Sequence, residues 1–333
     1  MTGRHGAVRV LIALLVLMST VAARAQALKI DGMYVNAYGD PRNQPIIFVH
    51  GGPGYNSWDF EFTTARPLSE QGYYVVVYDQ RGQGRSDAAD SKRFNYRQYA
   101  DDLKEIIDRL KLKEPVLIGH SHGGPIAIKF DEFYPHVAKK VVLVSAPVVF
   151  WDSMRSMLEN CSRNYENVGQ YDKRSSVGGI YYQLFLDSTT SVQRAPGLIG
   201  GAFLAAVDCG LYKVQHPSQA AQKLWREYGA NRLNVPLSGM TAAMPGFLSN
   251  ENYVHFNGLD YVFAHQSQFC GIYGDEDGLF TPLSLAVIRN ALSSTSPEVP
   301  FRIVRGASHD VFVDQQPEFL KALKETCGLN PGN

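Results

Sequence analysis

Between Pro45 and Ser145 the chain alternates short, apolar, β-branched runs with amphipathic stretches, and few folds accommodate that alternation. Pro45 to Val49, Tyr73 to Tyr78, Pro115 to Ile118 and Lys140 to Val144 read as strands buried on both faces. Tyr96 to Leu110 instead carries Tyr99, Leu103, Ile106, Ile107 and Leu110 at helical spacing. Strands alternating with helices predict an α/β fold with a mostly parallel central sheet covered on both faces. Leu28 to Tyr38, with Asp31-Gly32 as a two-residue turn, adds an antiparallel start.

After Pro147 the pattern changes. Helical stretches and glycine-rich joints at Gly178-Gly179 and Gly200-Gly201 run to Ala264 without a buried strand, which predicts an inserted helical lid over residues 148–265. The lid divides a core of residues 26–147 and 266–333. In the second part Gln268 to Tyr273 and Val299 to Val304 read as strands, and Leu283 to Leu292 and Glu318 to Thr326 as helices. No fixed-period repeat is present, which excludes solenoids and propellers.

Residues 1–25 differ in kind. Arg4, His5 and Arg9 precede the apolar run Val10 to Met18, and Ala23-Arg24-Ala25 supplies a small-x-small pattern, together a signal peptide cleaved after Ala25. The apolar run is far short of the ~20 residues that span a bilayer, so a secreted or periplasmic protein without a stable membrane span is expected. The whole chain balances 32 Lys+Arg against 32 Asp+Glu, and removal of Arg4, Arg9 and Arg24 leaves 29 against 32, a net charge of −3. That balance excludes the basic footprint of a nucleic-acid binder. Export permits disulfides, and segment membership favours Cys161–Cys209 and Cys270–Cys327. No CxxC or HExxH spacing suggests a metal, and no GxGxxG or GxxxxGK a nucleotide, so no cofactor is expected.

The chemistry concentrates at Val116-Leu-Ile-Gly-His-Ser-His-Gly-Gly124, a strand, a G-x-S-x-G turn and a helix. A serine on such a turn is strained and projects above the sheet, and Gly119 and Gly123 remove side chains that would collide there. Ser121 is the predicted nucleophile, with the His122 backbone N–H as one oxyanion donor at a helix N-terminus. The His120 and His122 side chains, as neighbours on a tight turn, are read as pocket-lining or structural. His50-Gly-Gly-Pro-Gly54 follows the strand ending at Val49 and supplies a second donor, the Gly52 N–H, since Pro53 has none. Asp79 and Arg81, in Asp79-Gln-Arg-Gly-Gln-Gly-Arg-Ser-Asp87, are expected to tie their loop to its neighbours. Downstream of the lid, Asp277 is the predicted acid, with Asp275 as second candidate, and His309 in Gly306-Ala-Ser-His309 is the general base. Asp310 is read as a local cap. His136 and His216 are expected at the surface, and His255 and His265 in or beside the lid.

This ordered set resembles the α/β-hydrolase superfamily, and more narrowly the proline iminopeptidase-like serine peptidases. HGGPG together with DQRG-x-G-x-S carries the narrower resemblance. It implies an α/β-hydrolase fold, a Ser121-His309-Asp277 triad and a small-molecule or short-peptide substrate. Two departures stand out: His122 occupies a position where family members commonly carry an aromatic, and the lid matches poorly. Family lids supply acids for the substrate's α-amino group, and Glu227, in Ala220-Ala-Gln-Lys-Leu-Trp-Arg-Glu227, is the candidate here. The expected activity is therefore an exported aminopeptidase, the alternative a carboxylesterase or lactonase, and the third reading a non-catalytic receptor using the lidded pocket.

Overall fold

The structure, a computed structural model, describes residues 27–188, 195–231, 243, 246–248, 251–293 and 300–331. The expected leader lies outside the described residues. Eight strands form one sheet: β1 (Leu28–Ile30), β2 (Met33–Tyr38), β3 (Gln44–Val49), β4 (Tyr73–Tyr78), β5 (Val116–His120), β6 (Lys140–Val144), β7 (Phe269–Gly274) and β8 (Phe301–Val304). They lie in the order β1-β2-β4-β3-β5-β6-β7-β8. The hairpin of β1 and β2 is antiparallel, β2 pairs antiparallel with β4, and every later pairing is parallel.

Both faces of the sheet are buried because alternate residues of each central strand enter different cores. In β3, Ile46 and Phe48 pack against Phe60, Phe312 and Phe319, whereas Ile47 and Val49 pack on the opposite side with Leu103, Ile126 and Phe130. The first face is covered by α1 (Trp58–Phe60), α2 (Arg66–Glu70) and two helices that end the chain, α12 (Val311–Asp314) and α13 (Gln316–Glu325). The second is covered by α3 (Tyr96–Leu110) and α4 (Gly123–Phe133). Asn95 caps α3 by accepting the Gln98 N–H at 2.9 Å, and Lys111 ends it in a left-handed conformation.

Between β6 and β7 the described elements are helices: α5 (Phe150–Asn167), α6 (Tyr171–Phe185), α7 (Ala195–Asp208), α8 (Gln219–Asn231), α9 (Glu251–Val254) and α10 (Leu259–Ala264). The two ends of this insertion are clasped together where Phe150 N–H donates to Phe256 O at 3.1 Å and Gly258 N–H to Val148 O at 2.8 Å. Gly178-Gly179 and Gly200-Gly201 are not joints, contrary to the sequence reading; they lie inside α6 and α7. The interface of those helices with α5 buries Val177, Ile199, Ala202 and Ala206, and this packing overrides the local cost of glycine. After β7, α11 (Pro282–Ser293) returns the chain to β8. Disulfides join Cys161 of α5 to Cys209 beyond α7, and Cys270 of β7 to Cys327 beyond α13, the expected pairing. Among the described residues no helix is long and apolar enough to cross a membrane.

Candidate active site

The C-terminal ends of β3, β5, β7 and β8 open onto one cavity of about 400 Å³, the place where parallel α/β sheets bind ligands. Ser121, His309, Gly52 and His122 all line it. Ser121 leaves β5 with φ 52°, a left-handed conformation rare for a residue with a side chain. The turn is that sharp because α4 starts against β3: a Cβ at Gly123 would lie 2.0 Å from the Val49 carbonyl oxygen. Ser121 N–H donates back to Val144 O at 3.0 Å, which fixes the turn to β6.

His309 follows β8 and Asp277 follows β7, and the sheet brings them together. His309 Nδ1 lies 3.1 Å from Asp277 Oδ2 and 3.3 Å from Oδ1, with both side chains buried. Leu279 N–H donates to Asp277 Oδ1 at 3.1 Å and holds the carboxyl in place. Burial disfavours the imidazolium, but the neighbouring Asp277 charge outweighs it and raises His309 above its ordinary value of 6.5. Asp275 is elsewhere: it is exposed, and its Oδ1 accepts the Gly306 N–H at 2.7 Å.

Gly52 has φ 133°, which strains any side chain, and its peptide to Pro53 is cis. The Gly52 and His122 N–H groups have no acceptor among the described residues. The loop that carries Gly52 is braced by its neighbour from β4. Gln80 Nε2 donates to His50 O at 2.6 Å, Gln80 N–H to His50 Nε2 at 2.9 Å, and Gln83 Oε1 accepts the Gly54 N–H at 2.5 Å. His50 therefore carries its proton on Nδ1, toward Gly51 O at 2.6 Å, and burial lowers it to about 4. Asp79 accepts from Ser57 N–H at 2.9 Å and Arg85 Nε at 2.7 Å, while Arg81 forks onto Asp102. The glycine-supported loop is thus a brace, as its charged residues suggested, and Gln80 and Gln83 are the parts sequence reasoning passed over.

His120 lines the cavity but works structurally, donating from Nε2 to His309 O at 3.1 Å. The His122 ring is 2% exposed among Tyr96, Phe247 and Tyr253, with neither nitrogen hydrogen-bonded to a described residue, and burial holds it neutral, down at about 3. His136, His216, His255 and His265 are exposed.

Two readings need correction. Glu227 does not line the cavity. Ala221, Leu224, Trp225 and Tyr228 form the inward stripe of α8, so helical periodicity turns Glu227 outward, half-exposed and 3.8 Å from Lys223. Asp310 occupies the N-cap position of α12 but makes no side-chain cap bond; its Oδ1 lies 3.5 Å from His120 Nε2, and the residue lines the cavity. Asp59 of α1 lines it too, a position the sequence did not single out. The wall opposite the sheet comes from the insertion, through Phe150, Met154 and Met157 of α5 and Phe203 and Val207 of α7. Among the described residues no group of three or more His, Cys, Asp or Glu is placed to hold a metal ion.

Residues 44–316 match the family model described as alpha/beta hydrolase fold. The chain is 32% identical over 146 residues to a bifunctional esterase/perhydrolase of Acinetobacter calcoaceticus, an alignment covering 38% of this chain and 52% of that protein. It is 24% identical over 171 residues to a proline iminopeptidase of Arabidopsis thaliana, covering 45% and 44%. The chain thus spans about half the length, or less, of these curated relatives. A solved structure, a proline iminopeptidase-related protein of Thermus thermophilus, superposes with a TM-score of 0.65 at 18% identity over 91% of this chain and 96% of that one.

Proposed function

The chain belongs to the alpha/beta hydrolase fold family, and from that premise we propose that it is an exported serine hydrolase that cleaves ester or amide bonds through an acyl-enzyme, as a proline iminopeptidase-like aminopeptidase. The observation that carries the reading is the His309–Asp277 contact of 3.1 Å behind a cavity that both His309 and Ser121 line. Asp277 holds the Nδ1–H tautomer, which leaves Nε2 as the base. His309 takes the Ser121 proton as Oγ attacks the carbonyl carbon, and the Gly52 and His122 N–H groups receive the oxyanion. His309 then gives the proton to the leaving group, and water reverses the sequence on the acyl-enzyme. Among the described residues no hydrogen bond joins Ser121 Oγ to His309, and catalytic contacts of this kind are often long until substrate binds.

The aminopeptidase reading is supported by the HGGPG and DQRG-x-G-x-S motifs and by likeness to proline iminopeptidases. The insertion of residues 148–265 serves as the lid. The leader pattern and the two disulfides support export into an oxidising compartment. A second reading, hydrolysis of small carboxylic esters, is favoured by the apolar wall from α5 and α7 and by the esterase/perhydrolase relative.

Fluorophosphonate labelling of the purified protein tests the nucleophile: adduct mass on Ser121 is expected, and an unlabelled Ser121 rejects the mechanism. Ser121→Ala should lower turnover by about 10⁶-fold, by analogy with other serine triads. Turnover of prolyl anilide supports the peptidase, and turnover of short nitrophenyl esters alone supports the esterase.

A further inference from the structure

The residue that follows the nucleophile brings more to the cavity than its backbone N–H. The His122 ring is buried, and neither Nδ1 nor Nε2 has a hydrogen-bond partner among the described residues. A neutral imidazole carries one donor and one acceptor, so both capacities of the ring are unmet, a costly arrangement for a buried group. Other buried side chains also hold an unpartnered polar atom, Tyr78, Asp131 and Ser145 among them, but of these described residues His122 is the one that lines the cavity.

The surroundings of the ring decide what can meet it. Phe247 and Tyr253 pack against it in T-shaped contacts at 4.5 and 5.0 Å, and Tyr96 lies 5.9 Å away with its own hydroxyl unpartnered among the described residues. Burial holds the imidazole neutral and pushes the Tyr96 and Tyr253 hydroxyls up, so this nest carries no charge at neutral pH. A charged substrate group would lose its hydration there and gain no counter-ion, whereas an uncharged hydroxyl supplies both the donor and the acceptor that the ring lacks. Among the described residues the rings that pack on His309 are those of His120 and Tyr212, at 4.9 and 5.1 Å. The leaving group departs beside the base, which leaves the His122 nest to the acyl half of the substrate.

We propose that the His122 ring is a specificity-determining group that hydrogen-bonds an uncharged hydroxyl on the acyl part of the substrate, close to the carbonyl attacked by Ser121. This deepens the serine-hydrolase reading, rests on it, and applies to ester and amide substrates alike. One residue supplies both the oxyanion N–H and the ring, so the hydroxyl lies within a few bonds of the reacting carbon. A site built to pair a substrate hydroxyl discriminates strongly against the analogue that lacks it, because its own buried polar atoms are then left unpaired.

Two pairs of activated esters, in which a methyl group replaces the hydroxyl, test the site: nitrophenyl lactate against nitrophenyl isobutyrate, and nitrophenyl β-hydroxybutyrate against nitrophenyl isovalerate. The quantity read is kcat/KM for the hydroxylated ester divided by that for its methyl partner, in wild type, His122→Phe and His122→Gln. Comparing this ratio between variants cancels the intrinsic reactivity of the esters and any disturbance of the oxyanion donors. In at least one pair the ratio should fall by about tenfold in His122→Phe, the factor carried by one hydrogen bond, and should be held in large part by His122→Gln, whose neutral amide also donates and accepts. His122→Leu reads the same ratio if the bulkier Phe does not fold. The urea midpoint of His122→Phe should equal or exceed that of wild type, since the exchange removes unpaired polar atoms from an aromatic nest. A ring that serves only to hold a structural water would give unchanged ratios and a lowered midpoint, and unchanged ratios in both pairs overturn the proposal. Binding separates the site from the chemistry: Ser121→Ala, titrated calorimetrically, should prefer β-hydroxybutyranilide to isovaleranilide by about tenfold, and the added His122→Phe exchange should abolish the preference. An unlabelled Ser121 in the fluorophosphonate experiment with that preference intact sinks the hydrolase reading and leaves the site standing; a labelled Ser121 with equal binding of the two anilides does the reverse.

Discussion

The exchange of Asp277 for asparagine isolates the role of the acid, because the structure dictates which way the new amide must face. Leu279 N–H donates to Oδ1 at 3.1 Å and needs an acceptor there, so in Asp277→Asn the amide keeps its carbonyl oxygen on Leu279 and turns its NH₂ group toward His309 Nδ1. Two donors cannot face each other at 3.1 Å, so the imidazole must present a bare Nδ1 and place its proton on Nε2. That tautomer cannot accept the Ser121 proton. A wrong-tautomer change of this kind costs about 10⁴-fold in kcat, equivalent to ~5.5 kcal/mol of transition-state stabilisation. Asp275→Asn retains an oxygen for the Gly306 N–H on an exposed loop and should cost less than about threefold. Steady-state rates with an activated ester, together with fluorophosphonate labelling rates, measure both variants. A large loss in Asp275→Asn beside near-normal activity in Asp277→Asn would refute the assignment.

The same geometry fixes a pH dependence and a stability ordering. His309 lies above 6.5 because of Asp277, and the base must be neutral, so kcat/KM should rise with pH through a midpoint above 6.5. Asp310 also raises His309, so Asp310→Asn should move that midpoint down, and an upward move would count against the arrangement. Gly123→Ala drives a Cβ to 2.0 Å from Val49 O and should destabilise the fold by about 3 kcal/mol or more, whereas Gly200→Ala, whose Cβ meets nothing within 4 Å inside α7, should stabilise it by roughly 0.5–1 kcal/mol. Urea midpoints decide both, and the opposite ordering would contradict the packing described.

The sheet is legible where burial leaves a chemical trace. Tyr73–Tyr78 and Lys140–Val144 coincide with their apolar runs, because a central parallel strand must be apolar on both faces, and Tyr96–Leu110 coincides with its stripe, because one side of α3 meets the core and the other meets water. The insertion lacks both traces. Ala195–Asp208 is apolar around most of its circumference, with Leu204 and Val207 exposed, so its inward face cannot be picked from periodicity. Glu227 is misplaced by sequence reasoning for a related cause: a motif fragment says nothing of direction without the stripe of Ala221, Leu224, Trp225 and Tyr228 that sets it.

The polar groups of the cavity divide along the same line. Ser121, Gly52 and His309 stand on turns whose backbone is forced by strand ends and close packing, and such constraints write glycines and a fixed order into the sequence. Asp59 stands on α1 and Asp310 at the N-cap position of α12, helices whose other faces supply Phe60 and Phe312 to the core beneath β3. Nothing local distinguishes an acid that caps its own helix from one that turns into a cavity. The difference arises from β3 and β8 placing two helix starts at the same end of the sheet, a juxtaposition of residues far apart in the chain. The turns that carry Ser121, Gly52 and His309 are therefore readable from local pattern, while the acids that line the cavity beside them emerge only when the sheet is assembled.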